Sequence, residues 1–308
     1  MRAAQINEYG GIDVISITEV NMPDIQDNQV LVQVHASSIN PVETLVHEGH
    51  IQTTLPATLG GDFAGVVTAK GADVDGFDIG DKVYGQASVL AGNSGAFAEF
   101  AATAAGQIAR MPETVSFAEA ASLPLVGVSA LQALTQHITL QAGQKLFVHG
   151  GAGGIGSIAI QIAKNIGAYV ATTATGDGIA FVQALGVDKV VDYKKQDFAD
   201  DLSGYDAVFD LVGGDDYIKA LGVLRAGGIG VSMTAHPDEA QVAAMGITSV
   251  SQLTHVTSEM LRKLAGLVDA KVVTAQIDTA FPLADIKKAF AARESGHAKG
   301  KVVVLIKA

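Results

Sequence analysis

The chain has 308 residues, 48% of them apolar and 17% charged, which suits two domain cores and leaves no case for disorder. A net charge of −12 without a basic block speaks against a nucleic-acid face, and the absence of cysteine excludes disulfides and thiolate-bound zinc. Residues 1–8 lack the apolar core of a signal peptide, and no apolar run approaches the ~20 residues that cross a bilayer, so the sequence reads as a soluble, cytoplasmic protein with no membrane partner.

Residues 1 to about 105 read as short strands and turns. Val30, Val32 and Val34 alternate with Leu31, Gln33 and His35, the period of a half-buried strand. Turns at Gly60-Gly61-Asp62 and Gly80-Asp81 introduce further short strands, and no long helical period interrupts them. The dipeptide Asn40-Pro41 reads as a turn by itself.

Near residue 124 the pattern changes to strands alternating with helices, which implies a parallel sheet covered on both faces. Strands are expected at 146–148, 169–173, 189–191, 207–211, 230–233 and roughly 252–256. Helices are expected at 128–136, 154–165, 178–185 and 216–224. The segment Lys145–Ser157 stands out. A short apolar run meets Gly150, Gly151, Gly153, Gly154 and Gly156, and then Ile155, Ile158, Ala159, Ile162 and Ala163 repeat at the spacing of one helix face. Gly151, Gly153 and Gly156 satisfy G-x-G-x-x-G. A strand before and a helix after make this a dinucleotide fingerprint, with pyrophosphate on the backbone N–H groups of the helix start. The alternative is a glycine turn that only lets strand and helix pack closely. Beyond it, an amphipathic helix is expected at 257–269, a strand at 272–277, a helix at 283–292 and a closing strand at 301–306. G-x-S-x-G is absent, and Gly296–Val302 lacks P-loop spacing, which leaves hydrolase and kinase readings without support.

Several stretches in order, Ser37–Thr44, Leu55–Val67, Gly76–Val83, Gly95–Phe100, Ala120–Pro124, Lys145–Ser157 and Gly300–Val303, resemble the medium-chain dehydrogenase/reductases. The likeness spans essentially the whole chain and is greatest to the zinc-independent quinone oxidoreductase branch. It implies an α/β fold: a Rossmann doubly wound parallel sheet (124–259) inserted in a GroES-like, β-rich catalytic domain (1–123 and 260–308). Zinc relatives carry a cysteine where this chain has Asn40 and a histidine where it has Gly61, so no metal is expected.

The resemblance also implies site residues. Asn40 and Ser129 should meet the nicotinamide end, although Ser129 also reads as a helix N-terminal serine. Ala152, Gly153, Gly154 and Ile155 should hold the pyrophosphate. Val212 should pass the nicotinamide ribose, and Ser232 and Met233 the nicotinamide. Thr173, Thr175 and Tyr193 belong to the adenosine end. There Asp177 replaces an expected lysine, which opposes a 2′-phosphate; it either binds a 2′-hydroxyl or faces solvent, while Lys194 and Lys195 offer compensating charge. The expected cofactor is NADPH, with NADH as the alternative, and the expected substrate is a small quinone or enone. No clear proton donor emerges; His47 is the one candidate, with water or a ribose hydroxyl as alternatives. A homodimer through the last strand of the cofactor sheet is expected. The rival readings are an enoyl-thioester reductase of the same superfamily and a non-catalytic nicotinamide-cofactor-binding protein.

Overall fold

The computed structural model describes residues 1–307 and divides into two compact units. The first comprises Met1–Leu125, Val256–Lys271 and the chain from Ala275 onward; the second comprises Val126–His255 and Val272–Thr274.

The first unit opens with β1 (Arg2–Ile6), β2 (Ser16–Glu19), β3 (Gln29–Ser38), β4 (Ala57–Thr58), β5 (Asp62–Lys70), β6 (Lys82–Gln86), β7 (Phe100–Ala104) and β8 (Ile108–Arg110). In β3, Val30, Val32 and Val34 are buried as their alternation requires. They pack with Ile6, Phe63, Phe97 and Phe290 in one apolar core. A helix, Pro41–His47, enters this strand-rich region where a turn was expected. Asn40 is its extended N-cap, Pro41 supplies the helical φ of the first turn, and the Glu43 carboxylate accepts the Asn40 N–H at 2.6 Å.

The second unit contains β9 (Lys145–His149), β10 (Tyr169–Ala174), β11 (Lys189–Asp192), β12 (Tyr205–Asp210), β13 (Leu224–Ser232) and β14 (Thr248–Ser251). They form a six-stranded sheet in the order β11-β10-β9-β12-β13-β14 with every pairing parallel. The chain runs outward from β9 in one direction and from β12 in the other, so the switch point lies between them. The helix Gly154–Ile166 buries Ile158, Ala159, Ile162 and Ala163 against this sheet, and Gly167 in left-handed conformation ends it.

The structure corrects several expected elements. The helix after β12 spans only Asp215–Leu221, and β13 begins at Leu224 rather than Gly230. Residues 252–256 are not a strand; β14 precedes them. There Gln252 Nε2 donates to the Ser129 carbonyl and Gln132 Nε2 to the Leu253 carbonyl, which draws the segment off the sheet. Residues 272–274 are held by Gln161, whose Oε1 accepts from the Thr274 N–H at 2.8 Å. The expected strand there is displaced to β15 (Ile277–Pro282), which lies parallel to β16 (Lys301–Leu305) in the first unit. The first unit's larger sheet runs β15-β16-β3-β5-β6-β8, so β16, β3 and β5 are consecutive neighbours.

Candidate cofactor and active site

In the second unit the fingerprint glycines answer to different constraints. A Cβ on Gly151 would stand 2.1 Å from Thr172 Oγ1, and one on Gly156 would stand 2.5 Å from the Gly150 carbonyl oxygen. These two glycines let the strand, turn and helix approach one another. A Cβ on Gly153 would meet only the Gly150 carbonyl, at an ordinary 3.7 Å. Gly153 is the N-cap of the following helix, and the loop residues Ala152, Gly153, Gly154 and Ile155 remain partly exposed. The helix start carries N–H groups without intrahelical acceptors. Donors of this kind at a helix start, with no side chain on Gly153 beside them, are of the type that can bind an anion. Thr173 is buried, and its hydroxyl accepts the Gly150 N–H at 2.9 Å, so it shapes the loop from β10.

The neighbouring strand ends are tied together by one carboxylate. Asp210, fully buried at the end of β12, accepts from His149 Nδ1 at 2.9 Å and from Ser232 Oγ at 2.7 Å. It also accepts the N–H groups of Val212 at 3.3 Å and Gly213 at 3.1 Å. Ser232 Oγ in turn accepts from Ala235 N–H at 2.9 Å. Because a carboxylate only accepts, the His149 tautomer is fixed with its proton on Nδ1. Burial by itself raises the Asp210 carboxyl, but hydrogen bonds from His149, Ser232 and Gly213 outweigh it and hold the group below its ordinary value. The Ser232 hydroxyl is thus an internal link, while Val212 is 51% exposed and Met233 partly exposed.

At the end of β10, Thr175 bonds to Asp192, the last residue of β11. Asp192 also pairs with Lys195 at 3.2 Å, and Tyr193 beside it is exposed. Asp177 is not a turn residue but the exposed first residue of the helix Asp177–Ala184. Ser129 lies inside the helix Pro124–Gln132 rather than at its start, and its hydroxyl meets Thr254 Oγ1 at 2.7 Å.

In the first unit Asn40 belongs to a buried charged cluster where β16, β3 and β5 lie side by side. Its Nδ2 donates to Asp62 Oδ2 at 3.0 Å, and its Oδ1 accepts from Lys301 Nζ. Lys301 Nζ also donates to the Ile39 carbonyl at 2.8 Å. Asp62 accepts further from Gln86 Nε2 at 2.9 Å and from the Leu125 N–H at 3.1 Å. Burial and then the Asp62 carboxylate push the Glu43 carboxyl up to about 7, while burial pulls the Lys301 ammonium down to about 8. Burial raises Asp62 as well, against the pull of Lys301. His47 is no candidate acid on this geometry. It is fully buried, with Nδ1 on the Gly10 carbonyl at 2.8 Å and Nε2 on Glu294 at 3.2 Å, and it packs edge-on to Phe290.

The sequence reading missed Glu43, Asp62, Lys301 and His149. The available signal was a charged or imidazole group ending or opening an otherwise apolar strand, as in Leu146–His149 and Lys301–Val304. Such a group is buried and must find partners.

Profiles for an alcohol dehydrogenase GroES-like domain and for a zinc-binding dehydrogenase match residues 26–113 and 185–304 respectively. The chain is 36% identical over 318 residues to the chloroplastic NADPH-dependent alkenal/one oxidoreductase of Arabidopsis thaliana, covering 99% of this chain and 79% of the relative. It is 31% identical to the quinone oxidoreductase of Mus musculus, covering 99% and 98% of the two chains. Among solved structures, the quinone oxidoreductase from Coxiella burnetii superposes with a TM-score of 0.92 at 34% identity, covering 100% of this chain and 99% of that one. By these matches, and with its switch-point loop, parallel sheet and β-rich unit, the chain belongs to the medium-chain dehydrogenase/reductase superfamily, in its quinone oxidoreductase-like branch.

Proposed function

We propose that this protein reduces quinones and α,β-unsaturated carbonyl compounds with NADPH. The carrying observation is the loop at Gly153, where the backbone leaves room before a helix start and two flanking glycines are consumed by packing. Ala152, Gly153, Gly154 and Ile155 are the proposed pyrophosphate cradle, with Thr173 shaping it. Val212 and Met233 line the ribose and nicotinamide end, and Ser232 acts through Asp210 rather than by touching the ligand. Ser129 and Asn40 are proposed to meet the nicotinamide end. The relatives' NADPH dependence supports the choice of donor, with Thr175, Tyr193 and the lysines 194 and 195 at the adenosine end.

NADPH, when bound, would supply the hydride for the conjugated position of the substrate. The protein's own contribution is orientation, exclusion of water and hydrogen-bond donors for the oxyanion that develops. With His47 committed to structure, water is the proposed source of the final proton.

The zinc-binding profile notwithstanding, we propose zinc-independent chemistry. Asn40 offers an amide, Gly61 offers no side chain, and a lysine ammonium already sits on the amide oxygen. That is not a donor set zinc selects. Among the described residues no group of three His, Cys, Asp or Glu is placed to hold a metal, and no helix is long and apolar enough to cross a membrane. A cytoplasmic homodimer is proposed, with the edge strand β14 and the exposed Leu253 as the pairing surface.

The test is oxidation of NADPH and NADH with a panel of quinones and enones. Turnover with several of them, faster with NADPH, is expected. Tight NADPH binding without turnover of any would instead favour a non-catalytic cofactor-binding role.

A further inference from the structure

Two loops leave the parallel sheet on either side of its switch point, and one imidazole ties them together. The first follows β9 and holds the glycines from Gly150 to Gly156; the second, Leu211–Gly214, follows β12. A dinucleotide lies across such a crevice, so each loop meets a different part of the same ligand. His149, the last residue of β9, reaches across in two ways. Its carbonyl accepts the Leu211 N–H at 3.1 Å, and its Nδ1–H donates to Asp210 at 2.9 Å. Asp210 in turn accepts the N–H groups of Val212 and Gly213 from inside the second loop. The remaining donor to this carboxylate, Ser232 Oγ, comes from β13, on the far side of β12 from β9. His149 is therefore the side chain that carries the position of the first loop into the second. Its ring is buried, stacked on Phe147 at 5.6 Å between centroids and tilted against Phe198 at 5.0 Å. The loops also meet directly, since a Cβ on Gly150 would stand 3.1 Å from Val212 Cγ2. The backbone ladder already pairs β9 with β12 from Leu146 to His149, and apolar packing would support it at lower cost than a buried polar pair. What the directional bond adds is a fixed place for the loop beyond the ladder.

We propose that His149 is a positioning residue for the cofactor, clamping the loop after β12 to the glycine loop after β9 so that the two present one preset surface to the dinucleotide. The inference rests on the nicotinamide-cofactor reading of this sheet. His149 itself stays buried and acts through Asp210 rather than by touching the ligand. Without its donor, Asp210 keeps bonds only from its own loop and from β13, and the second loop is then free to move against the first. Loops fixed before the ligand arrives spare binding the cost of ordering them.

The experiment compares His149→Leu, which keeps apolar bulk but has no donor, with His149→Asn, whose Nδ2 takes the place of Nδ1 on Cγ. Amide hydrogen exchange of the unliganded protein, NADPH affinity from its fluorescence, and unfolding by urea are followed in each and in the unmodified protein. In His149→Leu the Val212 and Gly213 N–H groups are expected to exchange about tenfold faster, with the amides of β10 unchanged, and the NADPH dissociation constant to rise about tenfold. His149→Asn is expected to bring both back to within about threefold of the unmodified protein. A merely structural histidine predicts otherwise. Exchange would then rise in β10 as much as in the loop, and asparagine, which fills less of the ring's space, would rescue nothing. Unchanged exchange at Val212 and Gly213 in His149→Leu, or unchanged NADPH affinity, overturns the inference. Failure of the unmodified protein to bind NADPH overturns the proposed function itself, and the role of His149 in cofactor binding falls with it.

Discussion

Gly151 and Gly153 stand two positions apart in the same loop, yet their replacement by alanine should have opposite consequences. At Gly151 the added methyl carbon would fall 2.1 Å from Thr172 Oγ1, a group already donating to the Val148 carbonyl at 2.7 Å. Gly151→Ala is expected to destabilise the protein by ~1–3 kcal/mol through overpacking, measured by urea unfolding without ligand. Gly153 has an extended backbone, φ −78° and ψ 175°, that alanine adopts freely. Gly153→Ala should leave the unliganded stability within ~0.5 kcal/mol and weaken NADPH binding, since the methyl would enter the space proposed for the phosphate. At Asp210 an asparagine has too few lone pairs for four donors and turns an NH2 toward some of them. Asp210→Asn should cost ~1–3 kcal/mol of stability and raise the NADPH dissociation constant, because the loops at Val212 and Ser232 lose their common anchor.

The segments that meet at strand ends carry the pH response. Burial raises the Glu43 carboxyl from 4.5 to about 7 in the folded state, so its contribution to stability is lost as pH rises through that range, and buried Asp62, raised as well, acts in the same direction. Lys301 is depressed from 10.5 to about 8, so the unfolded chain holds its proton longer and stability is regained as pH rises between these values. Urea titrations should therefore show a shallow stability minimum near neutral to mildly alkaline pH in the unmodified protein. Lys301→Met paired with Asp62→Asn should abolish the alkaline recovery; a recovery of equal size in that variant would assign it to other groups.

At this same scale the sequence was unevenly legible. The helix Gly154–Ile166 announced itself because its apolar residues keep one face and glycines bound it. Helix Pro41–His47 did not, since seven residues carry too little periodicity, and Asn40-Pro41 serves a turn or a helix start equally well. Strand β14, Thr-Ser-Val-Ser, has almost no apolar signature, and the more apolar stretch after it is claimed by side-chain bonds from Gln132 and Gln252. Resemblance alone proposes Asn40 as a site residue, and the partners of its amide are not legible in the sequence. One of them, Lys301, is 261 positions away in sequence. His47 misled because an imidazole near a site in sequence carries no information about which acceptors surround it.

For the molecule as a whole, the fold accommodates either alcohol dehydrogenase or enone reductase chemistry, and the proposed distinction is the absence of zinc ligands at Asn40 and Gly61. The direct test is to supply NADPH carrying deuterium at C4 of the nicotinamide, on either face, with a linear enone. The product is then mapped by NMR for the position of the label. Deuterium at the β-carbon of a saturated ketone, from one face only, is the expected result. Deuterium on the carbonyl carbon of an allylic alcohol would contradict conjugate reduction and restore the metal-assisted alcohol dehydrogenase reading.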